Sequence, residues 1–417
     1  MMNPNAETQD LQNPWADRAS LPSASLKLCV LAALACLLCA LAIPLSFHAT
    51  LTPIFAVLLF VCVVFFARTR ASVTLTLVSA LLVSFLLGLS GATVFLAVTV
   101  GTAVTAYLFT ACARGWLFSI LPFLAAGAAW FIVHDVWIAL LAVAFLPAAG
   151  LLAAATLAGK KRTTAICFAI AGLLLSLLAI LLVVIYRVQG DVDTEAIRAS
   201  IDGLREWFIG EMRKLGDAML KMAAEAVTDE QTQVAYDQLA KSLSEDALYA
   251  TSVKLFDTVL GIVPALAAII CSVLAFEAQN LLNAIYYGHG FSKVLTSETT
   301  VFTMSITAAV IYVVAFLSML FVSDSAMAGA VLQNIALILT PGFCLLGTQD
   351  IVQAVSRMRG SPRFILVVII VGILCFSAGG GLLYFLAMWG AYGVLMRHIK
   401  EKLLDAMQNS SGEDHKD

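Results

Sequence analysis

The chain has 417 residues, of which 61% are hydrophobic and 12% charged, and its formal net charge is −3. Soluble domains contain roughly 45–50% apolar and about 25% charged residues, so this composition excludes a soluble enzyme and a secreted disulfide scaffold. The acidic balance offers no basic surface for nucleic acid. We predict an all-α protein, a polytopic transmembrane helical bundle of about 11–12 spans of about 20 residues each, with an external amphipathic helical insert.

Uncharged runs locate the spans, because a charge at the centre of a bilayer costs at least about 2.5–3.5 kcal/mol. The polar residues 1–27 predict a disordered cytoplasmic tail. Residues 28–186 predict an N-terminal membrane region of about seven spans. Its uncharged runs are 28–67, in which His48 is the only titratable group, 71–113, 115–134, 136–159 and 163–186.

A second membrane region at 255–396 predicts about four or five spans. The first three are 255–288, 299–323 and 325–349. The last apolar stretch, 364–396, is about 50 Å long as one helix, which is too long for one upright crossing. Gly379-Gly380-Gly381 near its middle predicts a hairpin of two short spans, and a single span is the alternative. Residues 397–417 predict a cytoplasmic tail.

The distribution of Lys and Arg predicts the orientation, because short basic loops remain in the cytoplasm. With the N-terminus inside, every Lys and Arg outside residues 187–254 lies on the cytoplasmic side, and the short external turns contain none. The sequence therefore predicts a multi-pass protein of the cell membrane whose N-terminus is cytoplasmic.

The charged segment 187–254 predicts an external amphipathic helical pair. Apolar residues at three- and four-residue spacings indicate one apolar face of a first helix: Ile197, Ile201, Leu204, Phe208, Met212, Leu215 and Met219. Thr228 and Gln231 form a capping-box pattern that opens a second helix. That helix carries Val234, Leu239, Leu243 and Leu248. The segment is either a packed connector or a cap that binds a partner or gates a substrate.

Three polar residues in the C-terminal spans are candidate ligand-binding residues. Glu277 is an acid in an apolar sequence, with Asn280 on the same side of the helix, and intramembrane acids are functional candidates. Glu277 follows Asp257 by a helix rise of about 30 Å, which favours a hydrated position at the cytoplasmic boundary. Asn334 lies deeper, where an amide either bonds to a neighbouring helix or contacts a ligand.

Sequence motifs of catalysis and energy conversion are missing. Gly159-Lys160-Lys161-Arg162-Thr163 lacks the upstream glycine of a phosphate loop, so any coupling to ATP needs another polypeptide. Cys36 and Cys39 lie in an apolar run, where thiols act as small apolar groups. His134-Asp135 at an external turn predicts a solvated cap rather than a catalytic pair. We expect no enzyme activity, no cofactor and no metal site.

From about residue 255 onward, the order of features is similar to that of a known family. Its landmarks in chain order are Val263-Pro264-Ala265, Asn280, Asn283, Asn334, Gly347, Gly390 and Arg397. This order resembles the YybS-like family of bacterial membrane proteins, a domain of unknown function. The family's acidic residue after the terminal glycine is missing, because Ala391-Tyr392 follow Gly390. The N-terminal part also resembles the substrate-binding subunits of energy-coupling-factor vitamin transporters, which implies small-molecule binding.

We interpret the chain as a transporter-like or small-molecule-binding membrane component. Its expected partners are the lipid bilayer, a small-molecule substrate and a separate energising or envelope protein, and nucleic acid is not among them. The alternative is a non-transport scaffold that docks envelope-assembly partners through its external helices. A transporter needs a polar cavity with broken helices pointing into it, whereas a scaffold needs only a close-packed bundle. A cavity shared by Asn334, Pro264 and Pro341 would favour a transporter.

Overall fold

The structure of the chain is a computed structural model. The described residues are 25–45, 51–68, 70–71, 73–78, 92–111, 124, 127–128, 131, 145–227, 230–290, 302–319, 321, 327–357 and 381–413. Regular secondary structure in these residues is helical throughout, which confirms the all-α prediction for this part of the chain.

The helices of the described residues are numbered here in chain order. They are α1 Leu26–Leu45, α2 Thr52–Ala67, α3 Ala92–Ala111, α4 Phe145–Leu157, α5 Arg162–Gln189, α6 Thr194–Glu225, α7 Glu230–Ser242, α8 Glu245–Gly288, α9 Ile306–Ser318, α10 Met327–Arg357 and α11 Gly381–Glu413. Helices α6 and α7 carry most of the charged segment 187–254, and the apolar sequence lies in the other helices.

By length and composition, α3, α5, α8 and α10 are long and apolar enough to cross a membrane. Helices α1, α2, α4 and α9 contribute shorter apolar stretches of 10–17 residues. The chain is therefore a helical protein suited to a membrane, as its composition predicts. Much of the sequence of the other predicted spans, within 79–91, 112–144 and 358–380, lies outside the described residues. The number of spans stays a prediction.

Local sequence signals set several helix ends. Asp193 accepts a hydrogen bond from the Ala196 N–H at the start of α6, and Ser305 accepts one from the Ala308 N–H at the start of α9. Such caps satisfy a backbone donor that the helix itself leaves unused. Gly190 ends α5 with a φ of 82°, a left-handed conformation that glycine adopts without side-chain strain.

The larger hydrophobic core joins α1–α5 with α8. Its largest fully buried side chains include Phe66, Leu152, Tyr107 and Tyr286. Helices α4 and α5 approach closely at Gly172, where a Cβ atom would lie 2.7 Å from the Ala148 Cα. Helix α8 is the longest helix of the described residues. It contacts α2, α3 and α5, and so packs against three helices of this core.

A smaller core lies between α9, α10 and α11. Its buried residues include Tyr312, Phe343, Ala387 and Ala391. Helices α10 and α11 pack backbone against backbone, because a Cβ on Gly347 would overlap the Leu386 carbonyl oxygen and one on Gly390 would overlap the Phe343 carbonyl oxygen. Small residues allow membrane helices to approach this closely. Helix α8 also contacts α10 and so joins the two cores.

Helix α8 differs from the organisation predicted for residues 187–288. A turn at Leu243-Ser244 ends the preceding helix, so the predicted second helix is divided, and Thr228 of its capping box lies outside the described residues. Helix α8 then runs for 44 residues, about 66 Å, through the predicted junction at 254/255. Glu245 and Asp246 in its first turn favour a helix start there. The end of the charged segment and the apolar sequence that follows it therefore share one helix.

The packed face of α6 is rotated from the face predicted. Phe208 packs on an aromatic ring of α8, with centroids 5.7 Å apart, and Ile209 is buried. Leu204 is 51% exposed, so the prediction that it lies on the packed face is wrong. Arg205 occupies that face instead, where its guanidinium lies 2.8 Å from the Asp257 carboxylate of α8.

Phe208→Ala is expected to destabilise the packing of α6 on α8 by roughly 1–3 kcal/mol, because a half-buried ring contact is lost. Leu204→Ala is the matched control and is expected to change stability by no more than about 0.5 kcal/mol. Limited proteolysis of residues 187–254 measures the difference. Equal protease sensitivity of the two variants would contradict the packed face described here.

Candidate functional site

A charged cluster lies where the start of α5 meets α8. Arg162 donates a hydrogen bond to the Asn280 side-chain oxygen, and its guanidinium carbon lies 4.8 Å from the centroid of the Phe276 ring. Glu277 is 7% exposed and interacts electrostatically with the same guanidinium. We call Arg162, Phe276, Glu277 and Asn280 the Arg162 cluster. It unites two of the three predicted site residues, Glu277 and Asn280.

The Arg162 cluster lies at one end of the apolar part of α8. The uncharged residues 258–276 rise about 28 Å, close to the thickness of a bilayer core. Each of the two acids that bracket them interacts with an arginine, Asp257 with Arg205 of α6 and Glu277 with Arg162 of α5. Glu277 is nevertheless buried, at 7% exposure, so the hydrated position predicted for it is wrong, and its place at a membrane boundary stays a prediction.

Arg162 is a member of the site that the sequence interpretation missed, because it was assigned only to a basic loop. A turn precedes α5, in which Gly159 has a φ of 65° and Lys160 and Lys161 are exposed. The third cation of the run begins the helix and is partly buried. Its place directly before the uncharged residues 163–186 is the signal that could have identified it.

The segment before α9 covers one side of the Arg162 cluster. Phe302 packs edge to face on Phe276, with ring centroids 5.8 Å apart. The Thr303 N–H donates to the Thr163 hydroxyl at 3.3 Å, and that hydroxyl donates to the Thr303 carbonyl. Phe302 thus covers one face of Phe276, whereas the Thr163–Thr303 hydrogen bonds lie at the exposed surface.

Gln279 adds a second buried polar group to the same turn of α8 and was also missed by sequence reasoning. Its side chain is fully buried, and its amide nitrogen donates to the Asn283 side-chain oxygen at 3.2 Å. The two residues are four apart and so lie on one side of the helix. The polar residues of α8 therefore lie on two sides of the helix. Gln279 and Asn283 share one side, and Glu277 and Asn280 face Arg162 on the other.

Asn334 lies elsewhere, beside Pro264 of α8. Its side-chain nitrogen donates to the Gly261 carbonyl at 2.7 Å and to the Ala330 carbonyl at 2.8 Å. Its oxygen accepts from the Ala265 N–H at 3.1 Å. Gly261 and Ala265 are four residues apart and flank a proline that has no N–H and crowds the preceding turn. Asn334 therefore bridges the backbone of α8 where the proline weakens it.

The three predicted site residues do not form one site. Gly261 and Glu277 are separated along α8 by a rise of about 24 Å. Both amide hydrogens and the oxygen of Asn334 bond to backbone groups, so this residue braces α8 against α10, which is the interhelical alternative stated for it. Pro341 lies inside α10, which continues through it.

Asn334→Leu is expected to lower stability in detergent by roughly 1–3 kcal/mol, because the Gly261 carbonyl and the Ala265 N–H lose a partner. Pro264→Ala in the same background is expected to recover part of the loss, since a helix without the proline ring can bring the Gly261 carbonyl and the Ala265 N–H together as an ordinary helical hydrogen bond. Thermal unfolding of both single variants, the double variant and the parent measures this coupling. A loss that is the same with proline or alanine at 264 would contradict the bracing role.

A polar and aromatic cluster lies near the end of α8. The Thr110 and Tyr286 hydroxyl oxygens are 2.5 Å apart, and a ring nitrogen of His289 lies 2.6 Å from the Phe66 carbonyl oxygen. The ring of Tyr107 packs on Phe66 with centroids 5.2 Å apart. These bonds join α2, α3 and the end of α8, which favours a structural role.

Among the described residues, no group of three His, Cys, Asp or Glu side chains is placed to hold a metal ion. Cys36 and Cys39 are buried in the larger core, where the Cys36 sulfur lies 3.7 Å from the Thr105 hydroxyl. Such thiols pack as small apolar groups. His134 and Asp135 lie outside the described residues.

No family model, no curated protein and no solved structure matches the chain. The resemblance to the YybS-like family and to energy-coupling-factor subunits therefore stays a prediction.

Proposed function

We propose that the chain is a transporter-like, small-molecule-binding component of the cell membrane, with its N-terminus in the cytoplasm. The observation that carries the proposal is the Arg162 cluster, where a carboxylate and a guanidinium meet between two long apolar helices. Charged groups in membrane helices are costly and mark the paths of substrates and ions. Any coupling to ATP comes from a separate protein, because the sequence has no nucleotide-binding motif.

The Arg162 cluster offers chemistry for a small polar solute. The Glu277 carboxylate accepts hydrogen bonds from ammonium or hydroxyl groups, and the Arg162 guanidinium pairs with carboxylates in a fork geometry. Phe276 adds an apolar platform beside them. A solute that binds the Glu277 carboxylate competes with the Arg162 guanidinium for it, so binding and helix arrangement are linked at this point.

A membrane scaffold is the second candidate, and the close packing of the bundle favours it. Gly347 and Gly390 bring α10 and α11 into backbone contact, and Asn334 fastens α8 to α10. A bundle braced in this way resists the helix movements that transport requires. In this alternative, α6 and α7 dock envelope-assembly partners outside the membrane.

A solute screen separates the two candidates. The purified protein in detergent is heated with amino acids, carboxylates, nucleosides or vitamins, and we expect one class to raise the unfolding temperature by several degrees through mass action. Glu277→Gln is expected to lose this gain, because the amide keeps the shape of the carboxylate but not its charge. Glu225→Gln, at the exposed end of α6, is the matched control and keeps it. A protein that no solute stabilises and that co-purifies with an envelope protein would support the scaffold.

Labelling of introduced cysteines tests the proposed orientation. Asp217→Cys, on an exposed part of α6, is expected to react with a membrane-impermeant maleimide in intact cells, because residues 195–250 lie outside. Lys160→Cys and Arg357→Cys are expected to react only after lysis. The parent protein gives the background of the native cysteines. Labelling of the position-160 variant in intact cells would reverse the topology.

A further inference from the structure

A cleft of about 510 Å³ lies between α6 and α8, in the segment proposed to lie outside the membrane. Asp202, Glu206, Gly210 and Arg213 line one wall and recur at three- and four-residue intervals, so they share one side of α6. Tyr249 of α8 lines the cleft opposite them. The volume falls within the range of small-molecule sites, about 300–1,000 Å³.

Negative charge dominates one end of this cleft. Asp202 and Glu206 line it, and Arg205 beside them lies 3.6 Å from Asp202 and 2.8 Å from Asp257. The hydrogen bond with Asp257 raises the pKa of Arg205, and contacts with Asp257 and Asp202 engage its guanidinium. Among the lining residues, Asp202 and Glu206 against Arg205 leave this end net negative by one charge and suited to an ammonium group.

The other end of the cleft carries the guanidinium of Arg213, which has more N–H donors than its contact with one carboxylate uses. Arg213 follows Glu206 by a rise of about 10 Å along α6. One of its terminal nitrogens lies 3.2 Å from Glu245, and in this pair Arg213 is half exposed and Glu245 largely exposed to solvent. An exposed ion pair contributes little stability, and a guanidinium has five N–H donors, so a ligand carboxylate can join or replace Glu245.

We propose that this cleft binds a short zwitterionic peptide of about two to four residues, with its ammonium group at Asp202 and Glu206 and its carboxylate at Arg213. Three extended residues span about 10 Å, which matches the rise between the two charged ends. A single amino acid is too short to reach both. Ile209 and Tyr249 contact the middle of the peptide. The inference rests on the proposed function, because it names a solute class and an external site for it.

Isothermal titration of the purified full chain in detergent tests the site, with trialanine as the probe. Trialanine is expected to bind saturably, and acetyl-trialanine amide, which has neither charge, is expected to bind at least about tenfold more weakly. Arg213→Gln is expected to weaken trialanine binding by about tenfold. Since Arg213 is half exposed, this variant is expected to keep the unfolding temperature of the parent.

Gly210 allows the cleft to be filled without disturbing the fold. A Cβ on Gly210 meets no described atom within 4 Å. Gly210→Phe is therefore expected to abolish trialanine binding, while its unfolding temperature stays equal or rises because glycine is a poor helix former. Ala218→Phe adds the same ring at an exposed position of α6 outside the cleft lining and is expected to bind normally.

Equal binding of trialanine and its blocked analogue would overturn the assignment of a zwitterion. Full binding by Gly210→Phe, or no binding by the parent, would overturn the site itself. These outcomes leave the proposed function standing, since that function fails only if no solute class stabilises the protein. Glu277→Gln is expected to bind trialanine normally, which separates the cleft from the Arg162 cluster.

Discussion

Gly390→Ala is expected to destabilise the protein by roughly 3 kcal/mol, although it adds one methyl group. The new Cβ would overlap the Phe343 carbonyl oxygen and lie 2.8 Å from the Gly347 nitrogen. Both are backbone atoms, so α10 and α11 have to move apart along their length, and the smaller core loses its packing. Thermal unfolding in detergent measures the loss.

Gly150→Ala is the matched control for this substitution. Gly150 is a helical glycine of α4, and a Cβ there meets the Phe109 side chain at 3.8 Å, an ordinary van der Waals contact. The control is expected to be neutral or to stabilise by up to about 1 kcal/mol, because alanine is the better helix former. Equal destabilisation by both substitutions would show that the contact of α10 with α11 does not hold the smaller core together.

Arg162→Gln is expected to cost roughly 3–5 kcal/mol, because it leaves the buried Glu277 carboxylate without its guanidinium. Glu277→Gln is expected to cost less, since Arg162 keeps its hydrogen bond to Asn280 and its contact with Phe276. The double variant is expected to recover part of the loss, because no carboxylate then remains buried in the cluster. Thermal unfolding of the four proteins yields the coupling energy.

Lys161→Gln is the control for the loss of a cation, because Lys161 is exposed next to Arg162. It is expected to change stability by no more than about 0.5 kcal/mol. Losses from Arg162→Gln and Glu277→Gln that simply add in the double variant would mean that the two charges act independently. That result would remove the observation on which the proposed function rests.

The sequence by itself determines the class of this protein and much of its local structure. An apolar excess of this size has to be buried in lipid, and a chain in lipid satisfies its backbone hydrogen bonds by forming helices. The uncharged residues 258–276 between Asp257 and Glu277 rise about 28 Å, close to the thickness of a bilayer core, so the sequence alone predicts a boundary position for Glu277. The three- and four-residue spacing of residues 197–219 likewise predicted the helical form of α6.

Which side chains contact one another between helices follows only from the tertiary structure. Arg162 and Asn280 are 118 residues apart, and Asn334 bonds to Gly261, 73 residues away. Spacing along a chain shows which residues share a side of one helix, but not which helix that side meets. Rotation and register follow from side-chain packing across the interface, which is why Leu204 is exposed and Arg205 faces α8. The same packing separates Asn334 from Glu277 and leaves the cleft between α6 and α8.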